Sequence, residues 1–379
     1  MAIALINGRV MTDRGAIEQR AVLVEAGRIA AMLPPAEVPA DVARHDLQGR
    51  LLLPGFIDAQ VNGGGGVLFG DAPSVETLRT IAAAHARFGT TGFLPTLISG
   101  ELPLIKAAIA AVDEAIAAGV PGVLGIHIEG PFLNPARKGI HDAANFRPLD
   151  DEAFELITAR KRGVTMLTLA PEQTTPDWVA ALVRAGVIVS AGHTDASHAQ
   201  VRAALDRGLT GFTHLFNAMS PLRAREPGAV GAALDDKASW CGIIADGHHV
   251  DPVSLRVALA CKGAAKLMLV TDAMPSVGAA TKTFQLQGRT ITVRDGVCIA
   301  PDGTLAGCDL DMASAVRNAM RLMDVNLAEA VAMAGRNPAA FLGLGDDMGT
   351  IRSGQRANFA IADDELQVRE TWIDGERIV

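Results

Sequence analysis

Eight brief apolar segments, each closed by a turn or a polar residue, recur along the middle of the chain and restrict its fold more than any other feature. They are LLLPGFIDAQ (51–60), TGFLPTLI (91–98), GVLGIHIE (122–129), VTMLTLAP (164–171), VIVSAGHT (187–194), LTGFTHLF (209–216), WCGIIADG (240–247) and KLMLVTDA (266–273). Short length, β-branched content and flanking Gly or Pro mark them as buried strands rather than helices. Between them, SVETLRTIAAAHARFG, ELPLIKAAIAAVDEAIAAG, DEAFELITARKRG and SHAQVRAALDRG carry apolar residues at three- and four-residue spacing and end in glycine, as amphipathic helices do. Eight strand–helix units predict an α/β protein with a (β/α)8 TIM-like barrel; a doubly wound open sheet is the alternative.

The two ends of the chain differ from this middle. Residues 1–53 and 346–379 read as short alternating segments broken by Asn-Gly, Gln-Gly and Asp-Gly turns, which predicts one small β-sandwich built from both termini. The barrel then occupies 54–345, with a β insertion at about 283–306. Hydrophobic residues at 49% and charged ones at 20% give enough apolar material for a large core and exclude disorder. With a net charge of −8 and no basic stripe carrying aromatics, nucleic acid is not an expected partner. No charge-free apolar run reaches the ~18 residues of a membrane helix, the start MAIALINGRVMTDRG lacks a signal-peptide core, and the expected location is cytoplasmic. Cys241, Cys261, Cys298 and Cys308 are scattered without a metal-clip or redox spacing.

In a barrel the carboxyl ends of the strands surround one mouth. Asp58 and Gln60, Glu129, His193, His214, Asp246 near His249, and Asp272 all stand at such ends. Glu129, His193 and His214 offer one oxygen and two nitrogens, the donor set of a catalytic zinc site with an open position for water. Taken alone, Glu129 reads equally well as a buried carboxylate paired with a cation, and each histidine as a satisfied core imidazole. Asp272, in VTDA, is placed to move protons, or else caps the following loop. The Gly130-Pro131 pair starts a loop that delivers Lys138, Gly139 and His141, and His141 is a candidate for binding a substrate carbonyl or hydroxyl. Arg225 and His249 are candidates for holding an anion such as phosphate. His127 should share a face with Glu129 and pack inside the barrel, and His45, His85 and His198 read as structural or solvated.

With these residues in place, the chain resembles the amidohydrolase superfamily, and within it the branch that deacetylates phosphorylated amino sugars. The resemblance rests on PGFIDAQVNG at Pro54, HIEGPFLN at His127, KGIHD at Lys138, GHTDA at Gly192, THLFNAM at Thr213, REPG at Arg225, DGHHV at Asp246, TDAM at Thr271 and LAGCDLDM at Leu305. It implies hydrolysis of N-acetylglucosamine 6-phosphate, or of a related substrate such as N-acetylgalactosamine 6-phosphate; a scaffold without chemistry is the remaining alternative. It implies metal ligands at Glu129, His193 and His214, Asp272 as catalytic acid and base, and substrate contacts at Ile140, His141, Asn217, Ala218, Arg225, His249 and the backbone of Leu305, Ala306 and Gly307. It also implies a homodimer in which Arg225 and His249 reach the neighbouring site. Many superfamily members hold a second metal through an HxH pair after the first strand; Asp58 and Gln60 stand there, so one divalent ion per subunit is expected. Zn2+ suits the donors best, with Fe2+, Co2+ or Mn2+ as alternatives. Cys308 stands where family members often have serine.

Overall fold

The computed structural model describes residues 2–12, 14–159 and 162–379. Eight parallel strands follow one another in chain order around a barrel: Phe56–Val61, Thr90–Ile98, Gly125–Glu129, Val164–Leu169, Ile188–Ala191, Gly211–Phe212, Trp240–Ile243 and Leu267–Leu269. The eighth meets the first through an isolated parallel bridge between Val61 and Ala273, reinforced by the backbone N–H groups of Asn62 and Gly63, which donate to the Ala273 carbonyl at 2.9 and 3.0 Å. The barrel therefore closes where the chain leaves its first and last strands, which sets Asn62 and Asp272 beside each other.

The helices begin at the polar residues that the pattern suggests. Ser74 caps Val75–Ala86 and Asp150 caps Asp151–Thr158, each side chain accepting a backbone N–H of the first turn. The expected helical segment DEAFELITARKRG includes residues 160 and 161, which lie outside the described residues.

The first apolar segment serves two sheets. Leu51–Pro54 pairs in parallel with Ile3–Met11 and antiparallel with Phe359–Ala362, and only from Phe56 does the chain enter the barrel. Gly55 makes the joint, since a Cβ there would lie 2.2 Å from the Thr91 side chain. Strands of both termini thus form one eight-stranded sheet, with Leu5, Val22, Ile29, Leu52, Phe359 and Trp372 in its core. Apolar periodicity alone does not separate the two roles of residues 51–60, because both sheets bury that run.

The insertion is a four-stranded antiparallel sheet from Thr283–Leu286 to Leu305–Cys308. Leu286, Ile291, Cys298 and Ala306 pack against Leu68 and Met274, seating it on the barrel mouth. Its last strand is tied to the end of the eighth barrel segment: the Cys308 N–H donates to the Asp272 carbonyl at 2.9 Å, and Met274 N–H donates to the Cys308 carbonyl at 3.0 Å.

Gly125 opens the third barrel strand against Val164 so closely that a Cβ would sit 2.0 Å from the Val164 carbonyl oxygen and 2.4 Å from its nitrogen. Backbone atoms in a paired strand cannot step aside as a flexible side chain can, so over-packing is costly there. Gly125→Ala is expected to lower unfolding free energy by about 3 kcal/mol, read as a lower urea midpoint with an unchanged slope.

Candidate active site

Glu129 ends the third strand with its side chain inside the barrel mouth. His193 and His214 follow the fifth and sixth strands, and at both residues the backbone leaves the extended region, with φ of 48° and 36°. Non-glycine residues rarely adopt such angles, and they do so where surrounding structure fixes them. The result is a tight group: Glu129 Oε1 lies 3.0 Å from His214 Nε2 and 3.3 Å from His193 Nε2, and the two nitrogens are 3.1 Å apart. His193 Nδ1–H donates to the Arg137 carbonyl at 2.8 Å, which turns Nε2 toward the group. Orientation of a ligating histidine by a carbonyl on its far nitrogen is usual in metal sites. One carboxylate oxygen and two imidazole nitrogens, all buried and all within 4.8 Å of one another, fit a divalent cation well.

Burial by itself would raise the Glu129 carboxyl. The hydrogen bonds and charges of His193 and His214 outweigh it and hold Glu129 well below the usual carboxylate range. Burial also pulls His214 down, but the hydrogen bond and charge of Glu129 prevail and raise it. Among the described residues its Nδ1 has no hydrogen-bond partner.

Asp272 follows the eighth strand, again at positive φ, 50°. Its Oδ1 accepts from Asn62 Nδ2 at 2.7 Å and from Gln60 Nε2 at 3.1 Å, and the same Gln60 nitrogen lies 3.3 Å from both Glu129 oxygens. Burial, and then the negative charge of Glu129, push Asp272 up to about 6, into the range useful for taking up and releasing a proton near neutrality. Asp58, behind Gln60, is pushed up to about 7 by burial and accepts from Thr271 Oγ1 at 2.5 Å.

His141 lines the same pocket, its ring centroid 4.4 Å from that of His193. Ser99 fixes its tautomer: the Ser99 backbone N–H donates to His141 Nδ1 at 3.3 Å, with Ser99 Oγ at 2.8 Å. Nδ1 is therefore an acceptor, and Nε2 carries the proton. Burial, with His193 adding, pushes the ring down to about 3, so His141 is a neutral hydrogen-bond donor.

The pocket has a volume of about 320 Å³ and is lined by Glu129, His193, His214, Asp272 and His141 together with Ile140, Asn217, Ala218, Leu305, Gly307 and His249. His249 lines the pocket of its own chain, where Asp246 Oδ2 accepts from its Nδ1 at 2.6 Å and holds the ring against the wall. Ala306 turns its side chain into the core of the insertion while Leu305 and Gly307 line the pocket; the expected contact there is through the backbone. Arg225 is exposed and lies outside the lining. His127 packs within the barrel as expected, between Thr96 Oγ1 at 3.1 Å and Thr168 Oγ1 at 2.7 Å.

The family model for the amidohydrolase family matches residues 51–378, and that for the NagA composite domain matches residues 3–52. The chain belongs to the amidohydrolase family. This amidohydrolase is 43% identical to N-acetylgalactosamine-6-phosphate deacetylase of Shewanella sp. (strain ANA-3), over 98% of this chain and 94% of that protein. It is 37% identical to N-acetylglucosamine-6-phosphate deacetylase of Haemophilus influenzae, over 99% of each. The crystal structure of N-acetylglucosamine-6-phosphate deacetylase from Pasteurella multocida superposes with a TM-score of 0.96 at 35% identity, covering 100% of this chain and 99% of that one. Among the described residues, no helix of this amidohydrolase is long and apolar enough to cross a membrane.

Two residues of the site escaped sequence reasoning, although the rule that found the others applies to them. Ser99 follows the second strand, and Glu172 the fourth. The Glu172 carboxylate accepts from Thr194 Oγ1 at 2.5 Å, from the Asp195 N–H at 2.6 Å and from Asn134 Nδ2 at 2.8 Å. It thereby clamps the residues just after His193 to the loop whose Arg137 carbonyl orients that ring. Glu172→Gln is expected to weaken Zn2+ binding at the Glu129–His193–His214 group by about 10–100-fold, measured by competition against a chromophoric chelator.

Proposed function

We propose that this amidohydrolase hydrolyses the N-acetyl group of N-acetylglucosamine 6-phosphate to give glucosamine 6-phosphate and acetate, using one divalent ion held by Glu129, His193 and His214. The observation that carries the reading is a pocket in which Asp272, pushed up to about 6, stands next to that donor group through the shared amide of Gln60. The donor types favour Zn2+.

A divalent ion bound there supplies Lewis-acid polarisation of the amide carbonyl and activation of water. Asp272, ionised near neutral pH, accepts the proton of the attacking water and returns it to the departing amine, so one carboxylate serves both steps. Its orientation for this comes from Asn62 and Gln60. His141 contributes the Nε2–H of a neutral ring, a donor suited to the oxyanion that forms at the acetyl carbonyl. Asn217, Ala218, Leu305 and Gly307 shape the pocket around the sugar. His249 meets the substrate from its own chain. Arg225, exposed in this chain, is proposed to serve the phosphate of a neighbouring copy in a homodimer.

The galacto epimer is a second reading, favoured by the 43% identity to a relative named for it. Both substrates undergo the same chemistry and differ at one sugar hydroxyl. The test is acetate release from each 6-phosphate by the purified chain, with metal content measured on the same sample. Release from the gluco substrate at the higher kcat/KM is expected, and Asp272→Asn should lower kcat by about 10²–10⁴-fold while the metal content stays unchanged. A higher kcat/KM for the galacto substrate would transfer the assignment to that epimer, and no release from either would remove it.

A further inference from the structure

A second donor cluster stands on the pocket wall, formed by Asp246, His249 and Cys308. Asp246 and His249 belong to the turn after the seventh barrel strand, whereas Cys308 ends the insertion, so the convergence is tertiary. Asp246 Oδ2 and His249 Nδ1 are 2.6 Å apart, Cys308 Sγ lies 3.5 Å from that nitrogen, and it lies 3.8 Å from that oxygen. In a tetrahedral site with bonds of about 2.3 Å to sulfur and about 2.0–2.2 Å to nitrogen and oxygen, the donor–donor edges are roughly 3.4–3.7 Å. Both sulfur edges are already close to that length. Only the nitrogen–oxygen edge has to open, by on the order of 1 Å.

The surroundings hold these donors in place. Asp246 Oδ1 accepts the backbone N–H groups of His248 and His249, each at 2.8 Å, which leaves Oδ2 as the oxygen turned toward ring and thiol. The backbone of Cys308 is fixed on both sides by Asp272 and Met274. The side chains of Asp246 and His249 are each only 5% exposed, and Cys308 is fully buried. Hydrogen bonding behind the ligands is what orients them toward a metal. His249 and Gly307 line the pocket, so a fourth ligand position opens onto it.

We propose that Asp246, His249 and Cys308 bind a second divalent cation, of the thiophilic class to which Zn2+, Co2+ and Cd2+ belong. The metal–sulfur bond forms as the S–H bond breaks and its proton passes to solvent. His249 loses its Nδ1 proton to solvent and takes one up at Nε2, so the ring stays neutral and binds through the freed Nδ1 lone pair. A carboxylate and a thiolate then balance the two positive charges, as a buried dication requires. Thiolate selects against Mg2+ and Ca2+. This site stands on its own donors and is independent of the substrate assignment above.

The two metal groups can be told apart spectroscopically, because the Glu129–His193–His214 group contains no thiol. The full chain, freed of metal by chelation, is titrated with Co2+ while thiolate-to-metal charge transfer is followed in the near ultraviolet. The parent is expected to take two equivalents, one of them with the charge-transfer band. Cys308→Ser is expected to keep one equivalent and lose the band, and Asp246→Asn to show the band only at about tenfold or more higher Co2+. A saturated parent without the band, or a Cys308→Ser protein that retains it, would overturn the proposal. If Cys308→Ser loses both equivalents through misfolding, the Asp246→Asn titration decides: one that coincides with the parent refutes the site, and a shifted one supports it.

Discussion

Glu129 and Asp272 are two carboxylates buried in one pocket, and the Gln60 amide that donates toward both allows them to share it. Without such a donor, like charges in a low-dielectric site repel strongly and one of them takes up a proton. Their other partners then separate their roles. Two imidazoles keep Glu129 ionised, whereas Asp272 accepts from the neutral amides of Asn62 and Gln60 and is pushed up to about 6 by burial and by Glu129, against the smaller opposing charge of His214. Neighbouring groups displaced in opposite directions are the usual mark of divided labour in a site, which accords with the proposed roles of cation ligand and proton carrier.

The barrel makes this arrangement possible by ending its strands early. The fifth, sixth and eighth strands stop at Ala191, Phe212 and Leu269, and His193, His214 and Asp272 follow at positive φ. An extended strand would alternate its side chains between core and helix layer. Leaving the strand turns each functional group across the mouth instead. The unfavourable backbone angles are held by tertiary contacts, for instance the Glu172 clamp on Thr194 and Asp195.

This explains which parts were legible in the sequence. Eight strand–helix units and two β-rich ends follow from periodicity and turn residues, and the strand-end rule reaches Glu129, His193, His214 and Asp272 because each is an ionisable residue at the close of an apolar run. The same rule applied to the second and fourth strands leads to Ser99 and Glu172, which do not stand out because one is small and the other lies beside a Pro that reads as a simple turn. Positions on the insertion were less legible. Ala306 reads like its neighbours until the strand's alternation is known, and the direction of His249 depends on Asp246 and Cys308, the latter 59 residues away. Branch points such as residues 51–60 are ambiguous because burial in either sheet demands the same apolar side chains.

The insertion also shows how a peripheral element can act on the chemistry without touching the reacting bond. Cys308 and Asp272 exchange backbone contact at 2.9 Å, and Ala273, next in the chain, bridges both Cys308 and Val61 at the barrel seam. The position of Asp272 is thus set from two sides, by the closure of the first and eighth strands and by the last strand of the insertion. A displacement of that strand would move the Asp272 backbone together with Leu305 and Gly307 on the pocket wall. A misplacement of about 1 Å can cost a reaction on the order of 10²-fold, so in the proposed reaction the packing of Leu286, Ile291 and Ala306 against Met274 helps to place the proton carrier although none of these residues carries a reactive group.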